Sequence, residues 1–206
     1  MELTREGFGG SEGSYPPEHA IDGVRIERAL REILLAIGED PDREGLRETP
    51  ARVARAYKFL FAGVGEDPAR HLDVGFQEGH REMVLVRDIP MASVCEHHLL
   101  PFVGKAPVGY VPNERVVGLS KLVRVLEGYS RRPELQERLT AQVADALYGG
   151  LKTRGSIVVV EADHLCMTMR GVQKPGSITV TSAVRGTFAQ DERARREAMS
   201  LITARR

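Results

Sequence analysis

MVLVRDIPMASVCEHHLLPFVGKAPVGYVP, residues 83–112, carries two strand-like runs, Met83 to Asp88 and Phe102 to Pro112, on either side of Cys95-Glu96-His97-His98. Upstream the period is helical. Ile26, Leu30, Ile33, Leu34 and Ile37 share one face that Gly38 and Pro41 terminate, and Thr49-Pro50 caps a second helix with Val53, Tyr57, Leu60 and Phe61 on one side. Gln77 to Arg81 is the polar linker where the period changes. Downstream, a helix from Ser120 turns Leu122, Val123 and Leu126 inward. Another, opened by Pro133, turns Leu135, Leu139, Val143 and Leu147 inward as far as Gly149-Gly150. Ser156 to Glu161 and Ser177 to Phe188 supply two more strands, and Asp191 to about Thr203 a closing helix. The order strand, strand, helix, helix, strand, strand predicts an α+β domain, an antiparallel sheet with helices on one face. The other face needs a partner. Apart from the leading helices nothing long remains to cover it, so oligomerisation is expected.

Residues 1–20 are rich in glycine, serine, proline and charge and read as a disordered tail; 21–78 form a helical segment and 79–206 the remaining domain. Lysine plus arginine and aspartate plus glutamate number 29 each, so net charge points to neither nucleic acid nor an anionic membrane as partner. No secretory leader and no run of about 18 apolar residues is present, which predicts a soluble cytoplasmic protein. In a reducing cytosol the two cysteines are expected free, metal-bound or catalytic rather than joined, although Cys95 to Cys166 is the one possible bridge.

Cys95 and His98 are three apart, close enough for a turn to bring them to one point, and thiolate plus neutral imidazole suit zinc. His164 and Cys166 alternate with Leu165 at the end of the apolar strand Ile157 to Val160, which places both on one sheet face. Two arrangements follow. Four protein ligands drawn from Cys95, Cys166, His164 and one of His97 or His98 make a structural site; three leave a position open and the spare histidines facing substrate. Spacing does not choose between them. Glu96 either orients a ligand histidine or faces solvent.

A second cluster is cationic. Lys121 and Arg124 lie one turn apart on the helix that starts at Ser120, Arg52 and Arg55 repeat the arrangement on a leading helix, and Arg170 follows Cys166 by four residues. Each pair alone describes a solvated helix face. Together, five cations could neutralise a triphosphate. Gln136 and Glu137 sit in a first helical turn, where a carboxylate favours the helix dipole; it could equally accept from N1 and N2 of guanine.

Four blocks, Ser-Val-Cys-Glu-His-His at 93–98, Gly-Leu-Ser-Lys-Leu-Val-Arg at 118–124, Arg-Pro-Glu-Leu-Gln-Glu-Arg-Leu at 132–139 and His-Leu-Cys-Met-Thr-Met-Arg-Gly at 164–171, closely resemble GTP cyclohydrolase I in order and separation. The likeness runs from about Ile21 to the C-terminus and includes Glu48-Thr49-Pro50-Ala51-Arg52. It implies a tunnelling fold preceded by helices, assembled as a homodecamer of two pentamers with active sites between subunits. It implies zinc (Zn2+) on Cys95, His98 and Cys166, with His97 and His164 as acid/base groups. The implied reaction opens the guanine imidazole ring of GTP at C8, releases formate and yields 7,8-dihydroneopterin triphosphate, the entry to folate-type pterins. Glu137 and Gln136 would hold the guanine, Ser120 would sit near ribose or phosphates, and Lys121, Arg124 and Arg170 would take the triphosphate. Arg52 and Arg55 would reach in from a neighbouring subunit. Arg55 stands where better-known members carry lysine, and Leu165 replaces an aromatic of some members, keeping a packing role.

Two other functions fit parts of this pattern. A non-catalytic, zinc-stapled GTP-binding regulatory protein needs no free histidines. A nitrile reductase acting on deazaguanine shares the fold without this zinc set. Zinc nucleobase deaminases are excluded by spacing, since their His-x-Glu and Pro-Cys-x-x-Cys pattern is absent.

Overall fold

In the computed structural model, which describes residues 21–204, two helices come first: α1 (Gly23–Ala36) and α2 (Thr49–Leu60). The tail expected over residues 1–20 lies outside the described residues. Asp22 caps α1 by accepting from the Arg25 backbone N–H at 2.9 Å, satisfying one of the unpaired amides of the first turn. Thr49 is the first residue of α2 rather than its cap; Glu48 holds the cap position and makes no side-chain cap bond. A 3-10 turn, Pro68–Leu72, leads to β1 (Gly75–Gln77). Then come β2 (Val84–Val86), β3 (Pro90–Cys95), β4 (Pro101–Lys105), β5 (Val108–Val111), β6 (Arg115–Val117) and α3 (Leu119–Ser130). The chain closes with β7 (Pro133–Glu134), α4 (Gln136–Gly150), β8 (Gly155–His164), α5 (Leu165–Thr168), β9 (Ile178–Gly186), α6 (Thr187–Gln190) and α7 (Glu192–Thr203).

β8 is the spine of the main sheet. β9 runs antiparallel along one edge, β5 and β4 share the other edge, and β2 and β3 lie outside β5 and β4. The first two of four strand passes are therefore each broken once. Asp88, with φ 54, interrupts the first before Pro90. Ala106-Pro107 interrupts the second, where proline has no N–H for the ladder. Allowing for these breaks, the expected order of two strands, two helices and two strands holds, and the chain has the α+β tunnelling architecture.

Two local expectations are corrected. Pro133 does not open a helix: Pro133 and Glu134 pair in parallel with Val94 and Cys95, and α4 starts at Gln136. A proline is tolerated there because this short strand lies at the sheet edge. The segment just before the cysteine, Pro90–Val94, is strand as well, paired with β4.

The even-numbered residues Val158, Val160 and Ala162 of β8 face α3 and α4, packing with Leu122, Val125, Leu126, Leu139, Val143 and Leu147. Each fully buried leucine of that layer contributes about 2 kcal/mol. The odd-numbered Ile157 and Val159 face the other way, onto Phe188 of α6 and Ala198 and Ile202 of α7. Part of the second sheet face is thus covered by the closing helix, which the sequence had not assigned to it. That cover stops short of the His164 end, where Val103, Ile178 and Val180 are more than half exposed. No helix among the described residues is long and apolar enough to cross a membrane.

Candidate metal centre and its surroundings

Cys95 is the buried last residue of β3. Its N–H donates to the Leu100 carbonyl at 2.9 Å, and its carbonyl accepts from Leu99 at 2.8 Å and His98 at 3.4 Å. Leu99 at φ 52 completes this tight turn. The turn folds His98 back until its Nδ1 lies 3.8 Å from Cys95 Sγ. Cys166 arrives differently from expectation. The strand ends at His164, and the helical turn α5 carries Cys166 away from the alternation that would have put it on His164's sheet face. Thr168 secures that turn by donating to the Asp163 carboxylate at 2.8 Å.

The ligand atoms of Cys95, His98 and Cys166 all lie within 4.8 Å of one another, and both cysteines are free thiols. Around a tetrahedral zinc with bonds of about 2.0–2.3 Å, donor atoms sit roughly 3.5–3.8 Å apart, so small rotations suffice to close the set on an ion. Burial, then the neighbouring Cys95, pushes the Cys166 thiol above its ordinary value. A metal binding there must displace that proton. The donor set is soft and borderline, suited to zinc, and this cluster can hold a metal ion.

His97 and His164 flank this cluster without joining it. His97 is exposed, its Nε2 3.9 Å from Glu96 Oε1. His164 is half-buried and stacked flat on Phe102, with ring centroids 4.6 Å apart and planes within 4°. Burial pushes the His164 imidazole below its ordinary value, offset in part by the charges of Glu137 and Asp163. Glu137 is exposed in the first turn of α4. Arg170 Nη1 lies 2.8 Å from His98 Nε2, which puts this guanidinium beside the cluster. Gln136, by contrast, is 1% exposed and turned inward, its carbonyl oxygen 2.7 Å from His164 Nε2.

A clamp absent from the sequence reading holds the Cys-Glu-His-His turn in place. Arg138 donates from Nε to Glu134 Oε2 at 2.8 Å and from Nη2 to Glu96. The Glu96 backbone N–H donates to the Glu134 carbonyl at 3.1 Å. Arg138 holds the Glu96 carboxyl below the usual carboxylate range. Glu134 is almost wholly buried, so Arg138 is the cation that makes its burial tolerable. Arg138→Ala is expected to cost about 2–4 kcal/mol in a denaturant titration. Arg138→Lys should recover only part, because an ammonium does not span two carboxylates as a guanidinium does. The i, i+4 spacing of Glu134 and Arg138 was visible; the third member was not, since Glu96 lies 42 residues from Arg138.

Ser120, Lys121 and Arg124 are elsewhere. α3 follows Val117, whose N–H donates to the Tyr110 hydroxyl at 3.2 Å, at the far end of the β4–β5 pass. Its C-terminal end returns to Cys95's end of the sheet, where Ser93 Oγ donates to the Arg132 carbonyl at 3.4 Å. A 12-residue helix rises about 18 Å from end to end, so Ser120 and Lys121 at its start stand well away from Cys95, with Arg124 about midway along it. His71, which the sequence reading did not single out, faces this group: burial and then Arg70, Arg124 and Lys121 push it below its ordinary value. Arg52 and Arg55 are exposed on α2.

Comparison with known proteins decides the family. The profile described as GTP cyclohydrolase I matches residues 26–203. The chain belongs to the GTP cyclohydrolase I family. It is 63% identical over 188 residues to GTP cyclohydrolase 1 of Thermobifida fusca, covering 90% of this chain and 91% of that protein. It is 62% identical over 183 residues to GTP cyclohydrolase 1 of Carboxydothermus hydrogenoformans, covering 88% and 95%, and 63% identical over 182 residues to that of Desulforamulus reducens, covering 88% and 97%. A solved archaeosine synthase QueF-like structure aligns at a TM-score of 0.40 and 16% identity over 53% of this chain and 97% of that one, a likeness too slight to add to the family assignment. Within this cyclohydrolase I chain, the residues brought to one end of the sheet are Cys95, His97, His98, Glu137, His164, Cys166 and Arg170.

Proposed function

We propose that this chain is a hydrolase that opens the guanine imidazole ring of GTP at C8, releasing formate and forming 7,8-dihydroneopterin triphosphate. The observation that carries the proposal is the donor set: Cys95, His98 and Cys166 form a three-member cluster, with His97 and His164 beside it and outside it. Cys95, His98 and Cys166 would hold zinc, which with three protein ligands would keep a position open for water and supply Lewis-acid chemistry there. His164 protonates N7 of guanine, making C8 electrophilic, and His97 serves later proton transfers. Glu137 accepts from N1 and N2 of the base, which adenine cannot match. Ser120 lies near the ribose or phosphates, and Lys121, Arg124 and Arg170 hold the triphosphate.

The active site lies between subunits of a homodecamer of two pentamers, with Arg52 and Arg55 supplied by a neighbour. Two features support this. The start of α3, with Ser120 and Lys121, lies at the opposite end of a helix about 18 Å long from Cys95's end of the sheet. The chain also leaves much apolar surface uncovered: α1 buries no residue, Ile33, Leu35, Ile37 and Phe59 are exposed, and so are Val103, Ile178 and Val180 on the sheet. We place the enzyme in the cytoplasm, where its two thiolate ligands stay reduced.

Zinc-loaded protein incubated with GTP is expected to yield one formate per turnover and, after oxidation, a fluorescent pterin. Zinc bound once per chain with GTP left intact overturns the enzyme reading and leaves a metal-stapled nucleotide-binding protein.

A further inference from the structure

Gln136 is a buried amide whose orientation is forced by its surroundings. Its Nε2 lies 3.0 Å from the Val160 carbonyl, 3.0 Å from the Thr179 carbonyl and 3.1 Å from Thr181 Oγ1. Backbone carbonyls only accept, so the NH2 must point there and the amide oxygen must point at His164. Two hydroxyls close a directed ring on the same residue. Thr140 Oγ1 donates to the Gln136 carbonyl at 2.6 Å, which spends its only proton, so the 2.7 Å contact between Thr140 and Thr181 must be donated by Thr181. Thr181 then has only acceptor capacity left for the Gln136 amide. Reversing the amide would face nitrogen to imidazole and oxygen to two carbonyl oxygens, leaving buried groups unpaired.

An amide oxygen 2.7 Å from His164 Nε2 requires a proton on that nitrogen. We propose that Gln136 is a positioning residue that fixes the orientation and tautomer of His164, holding Nε2–H on its amide oxygen so that Nδ1 is the ring nitrogen left for substrate. The stack on Phe102, itself fully buried, resists the ring flip that would put a carbon in place of Nε2 beside the amide oxygen. The assignment rests on the acid/base role proposed for His164. It also moves Gln136 away from the base: a side chain 1% exposed, with both N–H groups engaged, has nothing left to offer guanine.

The test uses the full chain, zinc-loaded and labelled with 15N-histidine, with the His164 signals assigned by their loss in His164→Asn. In the neutral ring Nε2 is expected to give a protonated, pyrrole-type resonance and Nδ1 a bare, pyridine-type one. A bare Nε2 beside a protonated Nδ1 overturns the proposal. In GTP turnover Gln136→Ala is expected to lower kcat by about 10²-fold while KM changes little. A raised KM with kcat intact would mean that Gln136 contacts the base, and would overturn it too. Thr181→Val, which removes one member of the ring and keeps the core volume, is the second variant should Gln136→Ala not fold. It is expected to mix the two tautomers of His164 and lower kcat several-fold, and an unmixed tautomer with full kcat contradicts the locking role. Wild-type protein with the expected tautomer and no turnover of GTP would refute the proposed function instead.

Discussion

His98→Ala should strip the metal and abolish turnover, whereas His97→Ala should keep the metal and lose turnover by about 10²–10⁴-fold. The two histidines are neighbours in sequence and both exposed within one chain, yet the turn after β3 gives them opposite fates. His98 is folded back toward Cys95 Sγ and shares a cluster with Cys166, while His97 points out beside Glu96. Removing one of three protein ligands leaves two thiolates, a set from which zinc dissociates readily. Removing His97 leaves all three ligands, so the metal stays and only proton transfer is lost. Metal content per chain, measured beside GTP turnover, separates the cases. The reverse pattern, metal lost with His97→Ala and retained with His98→Ala, would mean that the pair has been assigned the wrong way round.

The second large effect concerns where the triphosphate is held. Arg124→Ala and His164→Ala are each expected to be nearly inactive alone, the first through loss of GTP binding and the second through loss of chemistry. When the two are unfolded together and reassembled, activity should return. The reason is separation: Arg124 lies midway along α3, the helix that starts beside Tyr110, whereas His164 lies at the end of β8 that meets Cys95's strand. If each active site takes its phosphate cations and its metal cluster from different chains, a mixed oligomer contains some sites in which both partners are intact. Mixed oligomers confirmed by mass and lacking any recovered activity would place both groups in one chain's site and refute the shared arrangement.

Much of the fold was legible because its signals are local. The four strand passes and the two helices between them show in the change of apolar period, and of the expected inward positions, Leu122, Leu126, Leu139, Val143 and Leu147 are buried, while Val123 and Leu135 are partly buried. What the period could not show was how strands end. A β-strand and a short helical turn are both compatible with His-Leu-Cys, and the side chains of β8 give no notice that Leu165 leaves the sheet. Pro133 looked like a helix start because proline is favoured there; pairing with a strand 39 residues away made it an edge strand instead. The cover supplied by α7 was equally invisible, since amphipathicity says that a helix has an apolar face and not which sheet receives it.

The candidate metal ligands followed from residue type and spacing, and the resemblance to a known family selected three of them. Cysteine and histidine are few in this chain, and few soft donors leave few ways to bind zinc. Long-range polar contacts were beyond reach. Glu96 with Arg138, Gln136 with Thr179 and His164, and His71 with Lys121 join residues that are far apart in sequence and carry no periodic mark. The sequence by itself determined the order of elements, the apolar layer and the metal-binding residue types, because these depend on the chemistry of single residues and their near neighbours. Only the tertiary structure decided which histidine turns toward the thiols, which way the Gln136 amide points and how far Lys121 and Arg124 stand from Cys95. Those are properties of distance and hydrogen-bond direction between segments, set when the sheet brings β3, β8 and α4 together at one end and carries the start of α3 to the other.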